Sequence, residues 1–164
     1  MKQQQGFFLI EVMIALLIFT LGVLGMIGMG STAVAAQSDA RFRTDAANLA
    51  NDLAAHIQLN VNRSSAPAMQ ASLNSFQHRP AGGNCGFSGI ASPNAGVTAW
   101  EAKVNAVGPG LTGLPGTNAT TQQVLVDTSA TGFNRVQITL CWRAPNDVAF
   151  RAHTLVTYVN PELF

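Results

Sequence analysis

One carboxylate, Glu11, stands in a stretch from Gly6 to Ser38 that is otherwise uncharged. A charge at bilayer depth costs about 2.5–3.5 kcal/mol on insertion scales, so a glutamate in such a segment needs a cationic partner. Lys2 is the only nearby cationic side chain, and it lies on the far side of Gly6. A cut after Gly6 would create a closer cation, the free amine of Phe7, one helical turn away from Glu11 at i and i+4.

Elsewhere the residues that carry chemistry are dispersed. His56, His78 and His153 are far apart, and no Cys-x-x-Cys or His-x-x-x-His pair supplies metal-ligand spacing. No metal or other cofactor is therefore expected. Gly108-Pro109-Gly110-Leu111-Thr112-Gly113 matches a dinucleotide-binding fingerprint, but a helix is expected before it and a Pro-rich loop after it, the reverse of what phosphate binding requires. Gly86-Phe87-Ser88-Gly89-Ile90 lacks the last glycine of a nucleophile elbow and reads as loop. No nucleophile, base or metal constellation supports an enzyme. Net charge is +1 with 10% charged residues, and Arg41 and Arg43 form the only close basic pair. No basic patch exists to neutralise phosphates, which argues against nucleic acid as a partner.

The elements that position these residues follow from periodicity. Phe7 to Met29 is 23 residues with Glu11 as the one charge, enough helix to cross a hydrocarbon core of about 30 Å. Past Met29 the apolar character narrows to a stripe, Phe42, Ala46, Leu49, Leu53, Ile57 and Val61, at spacings of three and four. Arg41 with Asp45, and Asp52 with His56, are i,i+4 pairs on another face. One helix is thus expected from Phe7 to about Asn62. Arg63 to Val97 shifts to Ser, Ala, Asn, Gly and Pro, and Arg79 to Gly86 reads as loop throughout. Ser92-Pro93 reads as an N-cap followed by Pro at the first helical position, opening a short helix to about Val107. Val136, Ile138, Leu140 and Trp142 alternate with Gln137, Thr139, Cys141 and Arg143, the pattern of a half-buried strand. A turn at Ala144 to Asp147 leads to a second strand, Val148 to Val159, and Gln123 to Asp127 makes a shorter strand before both. Three strands with tight connections favour an antiparallel meander. The amphipathic half of the long helix is the one element long enough to cover it.

Gly6-Phe7-Phe8-Leu9-Ile10-Glu11 resembles the processing site of type IV prepilins, and Leu9-Ile10-Glu11-Val12 running into Leu21-Gly22-Val23-Leu24-Gly25 resembles minor pilins of the PilV type. The resemblance implies an α+β type IV pilin fold, a long N-terminal helix packed on a small antiparallel sheet. It also implies cleavage after Gly6 by a prepilin peptidase, N-methylation of Phe7, and a role for Glu11 in subunit register and assembly. The expected organisation is a leader at 1–6, a transmembrane and filament-core helix at 7–30, and a periplasmic head at 31–164. Within the head, 31–62 continues the helix, 63–120 is a loop region with one short helix, and 121–164 is the sheet. The chain would sit in the inner membrane with a single pass and then in the pilus fibre, its partners being other minor pilins and the major pilin. The function expected is promotion or priming of pilus assembly in a tip or initiation complex, and so of adhesion and twitching. A pseudopilin of a type II secretion system is similar over the same helix. In some such heads acidic loops bind calcium, whereas Asp127 and Asp147 here are not clustered. A membrane-tethered or secreted hydrolase is the reading from another class. An ordinary signal peptide cut after Ala33-Val34-Ala35 is the alternative for the N-terminus, though its apolar region would be about twice the usual length. In an exported head the compartment is oxidising, so Cys85 and Cys141 are expected to pair.

Overall fold

The structure is a computed structural model that describes residues 5–108, 110–111, 113–145 and 147–160, without the side chains of residues 5–7 and 31. Residues 1–4 of the expected leader lie outside the described residues. The fold is α+β. Helix α1 (Gln5–Asn60) is followed by α2 (Ala66–Asn74), β1 (Ala81–Gly83), β2 (Gly86–Ser88), α3 (Ala95–Asn105), β3 (Gln122–Asp127), β4 (Arg135–Trp142) and β5 (Arg151–Tyr158). Two compact units divide the chain after Arg41.

In the first unit the helix is long and apolar enough to cross a membrane, with a mean hydropathy of 2.5 over its most apolar window. From Phe8 to Met29 its large apolar side chains are 40–70% exposed. Two threonine hydroxyls bond back into the helix: Thr20 donates to the Leu17 carbonyl and Thr32 to that of Met29, each at 2.9 Å. Such bonds satisfy these two hydroxyls in an apolar medium. The helix is already formed at Gln5, the first described residue, and includes Phe7.

The second unit is organised on the predicted stripe. Ala46, Leu49, Leu53 and Ile57 of α1, with Val61 just beyond it, are buried against Val124, Val136, Ile138, Leu140 and Trp142 of the sheet. β3, β4 and β5 form an antiparallel meander in that order, with Val124 opposite Ile138 and Ile138 opposite Leu155. Helix α3 closes the core with Val97, Trp100 and Val104. The Trp100 indole N–H donates to the Leu49 carbonyl at 2.8 Å, so α3 is fixed to α1 by a buried bond as well as by packing.

Five expectations are corrected. Residues 63–120 hold two helices and a hairpin, not one short helix in loop. Helix α2 was signalled by Ser65, whose hydroxyl accepts from Ala68 N, by Pro67 in the first turn, and by Met69 and Leu73 four apart, both buried. Helix α3 begins at Ala95 with Asn94 as its cap, accepting from Gly96 N at 2.9 Å. Ser92 is held outside it, because its hydroxyl donates to the Ser75 carbonyl and its N–H to His78 Nδ1. β4 is not half-buried: from Ile138 to Trp142 every residue is buried, since the β1–β2 hairpin covers part of its second face. The last strand begins at Arg151 rather than Val148, which is 97% exposed. Asp52 pairs with Lys103 of α3 rather than with His56.

Candidate functional site

Glu11 is exposed in the first unit, and no ion pair reaches it among the described residues. Gly6 and Phe7 are helical, so Phe7 and Glu11 are one turn apart on one face, with about 6 Å of rise between them. Gly22, Gly25, Gly28 and Gly30 have open space where a Cβ would stand.

The two cysteines are brought together. Cys85 and Cys141 form a disulfide with Cα atoms 5.6 Å apart. Cys85 sits with Asn84 in the two-residue turn of the β1–β2 hairpin, both at positive φ (63° and 51°), as a type I′ turn requires. Asn favours that backbone and Cys does not; the bond to the fully buried Cys141 explains why a cysteine stands where glycine is the usual choice. Phe87 N donates to the Thr120 carbonyl at 2.8 Å, and the hairpin thereby lies over the sheet face that turns away from α1. A groove of about 610 Å³ opens there, lined by Asn84, Phe87, Gln123, Gln137, Thr139 and Phe150 among others. Sequence reasoning missed it, because the groove depends on where the hairpin lands.

The histidines are placed apart. His78 is fully buried; its backbone exchanges two 3.0 Å hydrogen bonds with Val124, and Nδ1 accepts the Ser92 N–H at 3.2 Å. The neutral ring then carries its proton on Nε2, which lies 3.9 Å from a Glu101 carboxylate oxygen. Burial holds its pKa below the ordinary 6.5, against the opposing pull of Glu101 and with a smaller push from Arg79. His56 packs edge-on to Phe76 with centroids 6.2 Å apart, and its ring fills the space a Cβ on Gly96 would need. His153 is half-buried on β5. No three of His, Cys, Asp or Glu gather into a metal-sized group among the described residues. Ser88 is an exposed hairpin residue, and the glycine-rich stretch near Gly113 serves α3: Gly113 N donates to the Ala106 carbonyl and Leu114 N to that of Val104, covering the helix end. Asp127 and Asp147 are held below their ordinary range by hydrogen bonds, from Ser129 and from Arg151 respectively, and each serves its own turn.

Residues 1–27 match the family described as the Prokaryotic N-terminal methylation motif. No curated protein and no solved structure matches the chain.

Proposed function

We propose that this chain is a minor pilin of the PilV type that primes or promotes assembly of a type IV pilus, acting by assembly and not by catalysis. The N-terminal methylation motif over residues 1–27, joined to an apolar helix and a disulfide-tied head, supports a type IV pilin-like or pseudopilin role. The observation that carries the finer reading is Glu11 one turn from Phe7 in that motif. Cleavage after Gly6 by a prepilin peptidase frees the Phe7 amine, which is then methylated. In the membrane the amine and its own Glu11 neutralise each other. Inside a fibre the carboxylate pairs instead with the Phe7 amine of an adjacent subunit. A buried charge without its partner costs several kcal/mol, so the pair selects register between helices whose apolar packing alone has no preferred register. The partners are other minor pilins and the major pilin, with the chain anchored in the inner membrane and its head in the periplasm before incorporation.

In a strain lacking this protein, the wild-type gene is expected to restore surface pili, and Glu11→Ala to restore none while still reaching the membrane in normal amount. Full piliation with Glu11→Ala would refute the register mechanism. Loss of protein secretion with pili intact would assign the chain to a secretion pseudopilus.

A further inference from the structure

The two edges of the three-stranded sheet are treated differently. Val159 N donates to the Asn134 carbonyl at 3.1 Å, and Cys141 N to that of Thr121 at 2.9 Å. These bonds fix the phase of both ladders, since bonding pairs alternate along antiparallel strands. On β3, Val124 faces outward, and its N–H and C=O are both taken by His78; Gln123 Nε2 reaches over the same edge to the Arg79 carbonyl. On β5, the register leaves Ala152, Thr154, Val156 and Tyr158 with backbone groups turned away from β4. Gln58 covers the Tyr158 carbonyl at 3.1 Å, and nothing covers the N–H and C=O of Ala152, Thr154 and Val156 among the described residues.

Proteins protect an open edge with lysine, proline or a bulge, and the segment Ala152 to Tyr158 has none of these. Its four outward-bonding residues are all exposed. Ala152 and Thr154, the two smallest of them, also line the 610 Å³ groove, whose described lining carries no charged side chain. An extended chain on this edge would gain main-chain hydrogen bonds and could place one uncharged side chain over Ala152 and Thr154 into the groove, the division of labour seen when peptides add to sheet edges. The Asp147–Arg151 ion pair at one end and Gln58 at the other bound the open length to about five to seven residues.

We propose that the free edge of β5, with the groove beside it, docks an extended uncharged segment of another fibre subunit as a fourth strand. That the segment comes from a fibre subunit rests on the pilin reading; the recognition chemistry does not, and it is tested apart from piliation. The probe is a dye-labelled heptapeptide of alternating Thr and Val, with the full-length chain in detergent. Binding is expected, together with slowed amide exchange at Ala152, Thr154, Val156 and Tyr158. N-methylation of the peptide residues that face β5 is expected to abolish binding without touching the protein. Val156→Pro removes an outward N–H that β4 does not use, and is expected to weaken binding by about tenfold or more while the unfolding midpoint holds. Replacing the groove-facing Val of the peptide by Asp is expected to abolish binding. No binding, or equal binding of the N-methylated peptide, overturns the proposal. So does a concentration-dependent dimer that Val156→Pro dissolves, which would make a second copy of this chain the occupant.

Discussion

At the scale of single residues, His78 shows how burial turns a titratable group into a structural one. Its Nδ1 accepts from Ser92, and its backbone covers the edge of β3 at Val124, so one residue joins the loop before α3 to the sheet. Because burial lowers the folded-state pKa below 6.5, the unfolded chain takes up a proton that the folded chain refuses. Stability from this group is therefore fully present above 6.5 and falls as pH drops below it toward the folded pKa. His78→Asn keeps an acceptor for the Ser92 N–H and removes the titration. Urea midpoints compared between about pH 7.5 and 5.5 should fall more steeply for wild type than for His78→Asn. Equal slopes would show that His78 does not contribute. The hydrogen-bonded Asp127 and Asp147 do not confuse the comparison, since their depressed pKa values act below 3.8.

At the scale of elements, α1 obeys two solvents in turn. Residues 8–29 expose their large apolar side chains, whereas from Ala46 onward the same kind of residue is buried on one stripe. Leu53 lies at the middle of that stripe and is 1% exposed. Leu53→Ala is expected to cost about 2–5 kcal/mol by leaving a cavity between α1 and the sheet. Leu17→Ala, in the first unit, should leave the midpoint of the head unchanged. Denaturation in detergent followed by tryptophan fluorescence suits both, because Trp100 and Trp142 are in the core. Helix α2 depends more on its start than on its length. Ser65→Ala removes the side-chain acceptor for Ala68 N and should cost about 1 kcal/mol, with amide exchange accelerating first in residues 66–69. Unchanged exchange there would mean that the burial of Met69 and Leu73 alone holds the helix.

For the whole molecule, the disulfide is the covalent tie of the head, and the proposed cut after Gly6 with methylation of Phe7 would set its mature N-terminus. The bond from Cys85 to Cys141 spans a sequence separation of 56, for which the chain-entropy treatment gives about 4 kcal/mol. Replacing both by serine should lower the unfolding midpoint accordingly and loosen the hairpin, so that β4 amides near Cys141 exchange faster. Peptide mapping without reductant that finds both thiols free would remove the premise. Intact mass of the exported protein should correspond to a chain beginning at Phe7 and carrying one methyl group. A chain beginning near Gln37 would establish an ordinary signal peptide instead. How much of this was legible in the sequence depends on the range of the interaction. The apolar run with Glu11, the three- and four-residue stripe, and the alternation of β3 to β5 could be read directly, because solvent preference and periodicity are local. They determined the long apolar helix, the meander and the face of α1 that covers it. Helix α2 was legible in part, since Ser65, Pro67, Met69 and Leu73 carry a helix signal inside a Ser- and Ala-rich stretch that reads as loop. Only tertiary structure decided that β4 is covered on its second face, that α3 is capped by Asn94, and that His78 covers the β3 edge at Val124 while Ala152, Thr154 and Val156 of β5 have no main-chain partner at their outer edge among the described residues. Each of these depends on contacts between residues far apart in the chain, and no periodicity records such contacts.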